Sequence, residues 1–282
     1  MSPAHMLKKI SAIFHHFSTN RPERMISPSW LWKTSSGIDR KFRERTEVKV
    51  TTDDSFQYLH IMGRTFVWVK DAPIDGILYC LSELLQPQHP HHYLWGNTQI
   101  RTGDQILDIG SCEGGFSALA AEAGSLVLAI EPSRSNARVI RRLFALWNLS
   151  PPQIAECLIG AECGTAYFEE NPTNPGASRV ARDPSPHSYQ LPVLTLDQLV
   201  LDHGLRKVDF IKCDAEGQDV SIIKSGIETL KRFRPKIAVT TYHNDNDFSD
   251  LFEFLSGLGY SISGKGFLYS GGKLRGLMLH AW

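Results

Sequence analysis

Four side chains that can carry acid–base chemistry lie at the ends of two apolar segments. Lys212, Asp214 and Glu216 alternate within residues 208–217, so an extended strand would point all three to one side. A lysine within an apolar run needs a buried partner, for which Asp214 and Glu216 are the candidates. His243 follows the next apolar segment and titrates near neutral pH. We expect Glu216 or His243 to act as a base, with Asp214 in an orienting role and Lys212 assisting; a purely structural ion pair is the alternative.

The same residues offer ligands to a divalent cation. Asp214, Glu216 and His243 supply the oxygen and nitrogen atoms that such ions bind, but no dense ligand motif enforces a site, so the sequence does not favour a metal. The run His89-Pro-His91-His92 lacks a fixed ligand spacing and predicts a solvated or substrate-facing loop. The aromatic residues Tyr93 and Trp95 that follow are candidates for an acceptor pocket, or equally for the core.

A glycine-rich turn after an earlier apolar strand is the candidate cofactor loop. Residues 108–117 read Asp-Ile-Gly-Ser-Cys-Glu-Gly-Gly-Phe-Ser. Glycines in a strand-to-helix turn let the backbone approach a ligand and direct helix N–H groups at it. Asp108 would organise the loop by accepting backbone N–H bonds, or reach an ammonium group through water. The candidate cofactor-binding residues in this loop are Asp108, Gly110, Ser111, Cys112 and Gly114.

Two acidic residues complete the predicted cofactor site. Glu131 ends the next apolar strand, 21 residues after Gly110, where a carboxylate can accept hydrogen bonds from both ribose hydroxyls. A carboxylate that only caps the following helix is the alternative. Glu162 follows the third strand and is a candidate for binding an adenine amino group, against simple surface exposure.

The loop composition discriminates between nucleotide cofactors. A dinucleotide loop has a glycine where this chain has Cys112, followed here by Glu113. A carboxylate repels a pyrophosphate, whereas a sulfonium cofactor has no phosphate to repel. The loop therefore favours S-adenosylmethionine over NAD. An NAD(P)-dependent oxidoreductase and a catalytically silent binding module remain open alternatives.

The elements that must position these residues alternate between strand and helix from residue 105 onward. We predict strands at 106–109, 126–130, 154–159, 208–213, 237–241 and 260–263, helices at 116–123, 135–147, 219–230 and 248–258, and a hairpin over 267–281. This order implies an α/β fold with a Rossmann-like, doubly wound, mostly parallel sheet and an antiparallel C-terminal strand or hairpin. The proline-rich segment 171–192 predicts a long loop, either a lid or a floppy insertion.

The first third of the chain lacks this alternation. Residues 1–45 are mixed and basic, which predicts a loosely packed or partly disordered arm. Residues 47–69 alternate like antiparallel strands, and 74–85 have helical spacing. We therefore divide the chain into an N-terminal α+β appendage at 1–97, available for substrate or oligomer contacts, and a cofactor-binding domain at 98–282.

Composition limits the partners and the location. The 282 residues carry a formal net charge of zero, so no strong field attracts nucleic acid or an anionic membrane. No stretch approaches the roughly 18 apolar residues of a membrane span, which argues against stable membrane insertion. The five cysteines form no Cys-x-x-Cys motif, which favours a reduced, cytoplasmic protein.

Four stretches of the sequence resemble the FkbM-type methyltransferase family: residues 103–110, 129–132, 193–197 and 208–217. The last is the most specific, because it contains the family signature Lys-x-Asp-x-Glu-Gly. The resemblance implies S-adenosylmethionine as cofactor and methyl transfer to a hydroxylated small molecule, usually a sugar or a secondary metabolite. The chain departs from the family pattern at Ser111-Cys112, where Ala-Asn is usual.

Overall fold

The computed structural model describes residues 10–11, 13–14, 16–18, 21–33, 35–171, 178–181, 183–186, 188–270 and 272–282. The strands are β1 (Val48–Thr52), β2 (Phe56–Ile61), β3 (Arg64–Val69), β4 (Gln105–Ile109), β5 (Leu126–Ile130), β6 (Gln153–Ala155), β7 (Leu158–Ile159), β8 (Gly164–Glu169), β9 (Arg179–Ala181), β10 (Ser188–Leu194), β11 (Phe210–Cys213), β12 (Lys236–Thr240), β13 (Ile262–Ser270) and β14 (Lys273–Ala281). The α-helices are α1 (Ser35–Arg45), α2 (Ile74–Leu85), α3 (Gly115–Glu122), α4 (Arg134–Leu146), α5 (Leu196–Asp202), α6 (Asp219–Lys224), α7 (Ile227–Phe233) and α8 (Asp247–Gly257). Short 3₁₀ helices cover Pro22–Met25 and Pro28–Trp32.

A seven-stranded sheet in the order β13-β14-β12-β11-β4-β5-β6 forms the centre of the molecule. The five strands from β12 to β6 are parallel, and β14 and β13 are antiparallel to their neighbours. Every residue of β4 and β11 is buried, because helices cover both faces of a parallel sheet; Gln105, Asp108 and Lys212 are the polar residues among them. The predicted fold class and its antiparallel C-terminal hairpin are confirmed.

Two predicted elements differ in detail, and one helix was not predicted. The strand expected at 154–159 is divided: β6 stays in the central sheet, while β7 joins a second sheet in the order β7-β10-β8-β9. The helix expected at 219–230 ends at Lys224 and restarts at Ile227. At Gly226 the chain packs so closely against Leu196 of α5 that a Cβ atom there would lie 2.4 Å from the leucine side chain. The helix α5 was not predicted from the sequence.

The segment 171–192 is not one long loop. It contains β9 and most of β10, which pair with β8, and the hydroxyl of Tyr189 lies 2.9 Å from the carbonyl of Pro132 and 2.9 Å from Glu170 Oε2. These contacts fasten β10 to the start of α4. Residues 172–177, 182 and 187 lie outside the described residues.

The described part of residues 1–45 is more tightly packed than expected. Ile26 and Trp30 belong to the main apolar cluster, and the guanidinium of Arg21 donates hydrogen bonds to the carbonyl of Asp245 (3.1 Å) and to Asn246 Oδ1 (2.8 Å). The prediction of a loose arm is therefore wrong for these residues; residues 1–9, 12, 15, 19–20 and 34 lie outside the described part.

The appendage shares an apolar cluster with the central sheet. The boundary at 97/98 stays a prediction, because the cluster combines residues from both sides of it: Leu59, Phe66 and Leu81 with Ile106, Phe116 and Ile140. No described helix combines the length and the apolar character that crossing a bilayer requires. All five cysteines are free thiols, and the cytoplasmic location stays a prediction.

Candidate active site

The carboxyl ends of β4, β5, β11 and β12 meet at one edge of the central sheet, because these four strands are parallel neighbours. Open α/β sheets bind their ligands outside this edge. The loop after β4 carries Gly110, β5 leads into Glu131, β11 leads into Asp214, and His243 follows β12. The fold therefore brings the predicted cofactor loop and the predicted acid–base residues to adjacent positions.

Only glycine fits at position 110, because the ends of β4 and β11 touch there. Its φ is +70°, and a Cβ atom there would lie 1.9 Å from the carbonyl oxygen of Asp214. The N–H groups of Gly110 and Ser111 both donate to the carbonyl of Ile130, at 3.1 and 3.2 Å. Gly114, with a φ of +75°, precedes α3 and packs against Ile140. The loop thus closes on β5 and β11 through its backbone.

Asp108 and Lys212 form a buried ion pair beneath this loop. Lys212 Nζ lies 3.1 Å from Asp108 Oδ1 and donates to the carbonyls of Ile109 (3.3 Å) and Gly110 (2.5 Å). The other Asp108 oxygen accepts from the hydroxyl of Ser117 at 2.6 Å. The expected pairing of Lys212 with Asp214 or Glu216 is therefore wrong, and Asp108 organises the loop through a hydroxyl and an ammonium rather than through backbone N–H groups.

Electrostatics keep Lys212 charged. Burial alone would lower the pKa of Lys212, but the carboxylates of Asp108 and Asp214 outweigh it, and the pKa rises. A permanent cation under the loop holds two loop carbonyls in place, so Lys212 acts on the cofactor loop.

Glu131 is buried at the end of β5, and both of its carboxylate oxygens accept hydrogen bonds from the protein. Its Oε2 accepts from the N–H of Cys112 at 2.8 Å, while Oε1 accepts from the N–H of Ser133 (2.9 Å) and from Asn136 Nδ2 (3.2 Å). Burial raises the pKa of Glu131 to about 7, against the opposing effect of these hydrogen bonds. Cys112 takes a φ of +52° to reach it. Glu131 thus joins the glycine loop to the start of α4, and Asn136 is a contact that the sequence did not predict.

Two further carboxylates lie at the starts of helices. Glu113 is buried just before α3, and burial raises its pKa. At the start of α4, Glu170 Oε1 accepts from the hydroxyl of Ser133 (2.7 Å), from the N–H of Ser135 (2.8 Å) and from the Ser135 hydroxyl. These hydrogen bonds lower the pKa of Glu170 although burial opposes them. The N-terminus of α4 is therefore occupied by the Glu170 carboxylate, and a second buried carboxyl precedes α3.

Glu162, the candidate for binding adenine, is exposed in the turn between β7 and β8. Because β7 belongs to the second sheet, this turn is set by the register of β7 with β10 and not by the central sheet. Its role stays a prediction.

His243 is held by two carboxylates at the end of β12. Its Nδ1 lies 3.1 Å from Asp219 Oδ2, and its Nε2 lies 3.5 Å from Glu216 Oε2. Burial alone would lower the pKa of His243, but these two contacts raise it to about 10. His243 is thus an imidazolium near neutral pH and donates hydrogen bonds, which does not fit the expected role of a base.

Asp219, at the start of α6, is the residue that orients His243. It is completely buried, and it also accepts the N–H groups of Ala215 (2.9 Å) and Gly217 (3.1 Å). The sequence marked Asp219 only as the first residue of a helix. Aspartate at that position is a common helix-capping signal, so its second role could not be read locally.

Asp214 instead contacts residues of the appendage. Its Oδ2 accepts from the hydroxyl of Tyr93 at 2.7 Å, its Oδ1 accepts from Thr240 Oγ1 at 3.2 Å, and His91 Nε2 lies 3.8 Å from Oδ2. The side chain of Asp214 keeps 18% of its surface exposed, so it can meet a ligand. His91 and His89 are buried, so the loop is not solvated there; the other predicted alternative, a substrate-facing loop, stays a prediction.

The site offers a set of possible metal ligands that differs from the expected one. One ligand atom from each of Asp214, Asp219 and His243 lies within 4.8 Å of the others, whereas Glu216 is largely exposed and reaches His243 alone. Asp219 is committed to backbone N–H groups and to the ring of His243. The donors are therefore matched to protein hydrogen bonds, and the set fits a cation poorly.

The chain matches the model of one protein family, described as the methyltransferase FkbM domain, over residues 108–262. No curated protein sequence matches the chain.

Solved structures of several methyltransferases have similar folds. Methyltransferase FkbM from Methylobacillus flagellatus KT is 17% identical over 74% of this chain and 54% of that one, with a TM-score of 0.48. Precorrin-6y C5,15-methyltransferase from Geobacter metallireducens GS-15 is 16% identical over 65% and 81%, with a TM-score of 0.38. SMU.1697c from Streptococcus mutans, in complex with SAH, is 10% identical over 64% and 90%, with a TM-score of 0.42. The chain spans about half the length of the first of these proteins.

Proposed function

The chain belongs to the FkbM methyltransferase family, and we propose that it transfers a methyl group from S-adenosylmethionine to a hydroxyl of a sugar or secondary-metabolite-type small molecule. The observation that carries the choice of cofactor is the set of buried carboxylates around the glycine loop, Glu113 and Glu131. A nucleoside with a sulfonium side chain tolerates them, because it brings a positive charge and no phosphate.

The same carboxylates disfavour the oxidoreductase alternative. A dinucleotide places its pyrophosphate at the N-terminus of the helix after the first strand, and a 2′-phosphate near the end of the second. Glu113 lies at the first position, and Glu170 with Glu131 at the second. A pyrophosphate would face Glu113, and the 2′-phosphate of NADP would face Glu131 and Glu170, so NAD(P) is the weaker candidate; against NAD the argument rests on Glu113 alone.

We assign the cofactor-binding roles to the loop and to the end of β5. Glu131 accepts ribose hydroxyls, and Gly110, Ser111, Cys112 and Gly114 present loop backbone to the cofactor. Asp108 and Lys212 fix the loop from below. Glu162 remains the candidate for the adenine amino group.

The acceptor side lies at the ends of β11 and β12. When bound, S-adenosylmethionine supplies a methyl group on a positively charged sulfur, and an alcohol oxygen must lose its proton to accept that group. Asp214, partly exposed at the ligand edge, takes the proton. Charged His243 is held at Nδ1 by Asp219, and its Nε2–H, which has no hydrogen-bond partner among the described residues, donates to the acceptor and positions it.

The proposed acceptor is a small hydroxylated molecule and not a nucleic acid, because the chain has a formal net charge of zero. We do not include a divalent cation, since the oxygen atoms nearest to His243 already accept hydrogen bonds from the protein.

Calorimetry with S-adenosylhomocysteine tests the cofactor assignment. We expect binding by the full chain and at least a tenfold weaker affinity for the Glu131→Gln variant, which keeps the side-chain shape. The control is Glu156→Gln, whose partly exposed carboxylate pairs with Arg141; its affinity should match the unmodified chain. No heat with either S-adenosylmethionine or S-adenosylhomocysteine would contradict the proposal, and stabilisation by NAD(H) alone in a thermal-shift assay would favour the oxidoreductase.

Transfer of a labelled methyl group to a panel of sugars, polyols and phenolic alcohols tests the reaction. We expect turnover of at least one hydroxylated acceptor. Cofactor binding without turnover of any amine or alcohol would favour the silent binding module.

A further inference from the structure

The imidazole of His91 is buried between two carboxylates and is not used by the proposed reaction. Its Nε2 lies 3.8 Å from Asp214 Oδ2, and its Nδ1 lies 3.4 Å from Glu83 Oε2. Within the described part of the chain, neither ring nitrogen has a hydrogen-bond partner. Burying an unpaired polar group is costly, so a ring left this way beside Asp214, at the ligand edge of the sheet, calls for a functional explanation.

Glu83 continues this line of groups toward the surface. It lies on α2 with its side chain 13% exposed. Burial raises the pKa of Glu83 well above its usual range, and the nearby carboxylates of Asp214 and Asp39 add to this effect, against a hydrogen bond from Tyr79. Tyr79 itself is 45% exposed. The sequence of groups Asp214, His91, Glu83 and Tyr79 thus runs from the acceptor side of the site to solvent.

The surroundings of His91 keep its ring neutral. The edges of two aromatic rings enclose it, with centroid distances of 5.4 Å to Tyr93 and 5.6 Å to Tyr242. Burial lowers the pKa of His91 to about 4, against the attraction of Asp214. The charged and titratable groups that face His91 are Asp214, Glu83, His89, Lys212, His243, Tyr93 and Tyr242. A neutral imidazole has one N–H group and one lone pair, so it can accept a proton on one side and release one on the other.

We propose that Asp214, His91 and Glu83 form a proton relay that carries the acceptor's hydroxyl proton out of the active site; this inference rests on the proposed function. The acceptor oxygen forms its bond to the methyl carbon as the carbon–sulfur bond breaks, and that bond's electron pair goes to sulfur. The hydroxyl proton goes to Asp214 and then to His91 Nε2. The Nδ1 proton of His91 goes to one oxygen of the Glu83 carboxyl as the proton on the other oxygen leaves to solvent beside Tyr79. After the products leave, Nε2 gives its proton to solvent through the open site and Nδ1 takes one from Glu83, which restores the starting tautomer.

The two distances along the relay are short. Both gaps, 3.8 and 3.4 Å, exceed an ordinary hydrogen bond by about 1 Å or less. Rotation of the ring and of the Glu83 carboxyl can close them without moving the backbone. Tyr93 meanwhile holds Asp214 in place through its hydroxyl. The relay also gives the appendage a role in the reaction, because both His91 and Glu83 precede residue 98.

Nuclear magnetic resonance of the histidine ring nitrogens tests whether Glu83 controls the protonation of His91, and it needs no methyl acceptor. The full chain, saturated with S-adenosylhomocysteine and labelled at its histidine nitrogens, is compared with His91→Gln to assign the His91 signals. We expect a neutral ring protonated at Nδ1 between pH 6 and 8, and a shift toward the Nε2-protonated form in Glu83→Gln. A His91 signal that is insensitive to Glu83→Gln would overturn the relay.

Kinetics with an alcohol from the acceptor panel tests proton transfer. We expect His91→Gln and Glu83→Gln each to lower kcat about 100-fold, with KM for S-adenosylmethionine within twofold and a larger solvent deuterium isotope effect. Imidazole in the buffer should restore part of the rate of His91→Ala. The matched control is His280→Gln, because His280 is also buried but pairs with Thr98 through Nδ1; it should keep the unmodified pH profile.

The outcomes separate the two proposals. Wild-type kcat and isotope effect in His91→Gln would overturn the relay while leaving the methyl-transfer proposal intact. If the chain binds no cofactor and methylates no alcohol, the proposed function is wrong, and the relay that rests on it is wrong as well. This holds even if the nitrogen chemical shifts show that His91 and Glu83 are coupled.

Discussion

Lys212 and Asp108 lie opposite each other in neighbouring parallel strands, and the ammonium of the first is 3.1 Å from the carboxylate of the second. Both side chains are almost completely buried. The pair therefore joins the strand that leads to the acceptor side to the strand that leads to the cofactor loop. Because Lys212 also binds two loop carbonyls, the position of the loop depends on this one cation.

Removal of Lys212 should destabilise the protein strongly. Lys212→Met leaves the carboxylate of Asp108 buried without a countercharge, which costs about 3–5 kcal/mol. The control is Lys207→Met, since Lys207 forms a partly exposed ion pair with Asp209 worth about 1 kcal/mol or less. Urea unfolding measures the free energy of unfolding of both variants. An equal loss of that free energy in the two variants would contradict the structural role of the buried pair.

Gly110→Ala should disrupt the meeting of the two strand ends. The new Cβ atom would collide with the Asp214 carbonyl at 1.9 Å. Gly204→Ala is the matched control, because Gly204 also has a positive φ, +59°, with no atom within 4 Å of its Cβ position. The control should lose about 1–2 kcal/mol from backbone strain alone. We expect at least twice that loss for Gly110→Ala; a similar loss for both variants would show that strain, and not contact, sets the requirement.

Asp219→Asn should release His243 from its charged state. Asp219 is the closer of the two carboxylates at His243, so its neutralisation should lower the histidine pKa from about 10 to below about 8. Proton resonance titration of the ring measures this change. Asp250→Asn, on the exposed face of α8, should leave the value unchanged. An unaltered pKa in Asp219→Asn would mean that Glu216 holds the charge.

Stability should rise with pH because of Lys265. This lysine is completely buried, with Nζ donating to the carbonyl of His92 at 2.9 Å, and burial lowers its pKa to about 7. Since the unfolded chain holds this proton up to a pKa near 10.5, the unfolded state binds more protons between those values, and unfolding free energy increases with pH there. Between pH 7 and 9.5 the gain should be on the order of 3 kcal/mol.

Lys265→Met provides the comparison for that gain. The variant removes the titrating group but keeps an apolar chain of similar length, so its unfolding free energy should vary less between pH 7 and 9.5 than that of the unmodified chain. Parallel pH dependences for the two proteins would assign the effect to other groups.

Much of the fold followed from local patterns. Apolar strands alternating with helices from residue 105 predicted the parallel sheet, and the Gly-Gly turn at 271–272 predicted its antiparallel end. The errors came where a short strand pairs outside its expected sheet, as at β7, and where tight packing divides a helix, as at Gly226. The sheet that a short strand joins, and the side chain that packs against a glycine, are set by residues far away in the sequence and cannot be read from the residues nearby.

The sequence by itself determined which residues stand at the ligand edge, because parallel strands bring their carboxyl ends together and Asp108, Glu131, Asp214 and His243 follow or end such strands. Only the tertiary structure decided their partners.

Lys212 pairs with Asp108, 104 positions away, because strand register places them opposite each other. His243 pairs with Asp219, and Asp214 with Tyr93, because a helix start and the appendage pack there. Buried charges choose partners by distance in a medium of low dielectric constant, and those distances exist only once the strands and helices have packed.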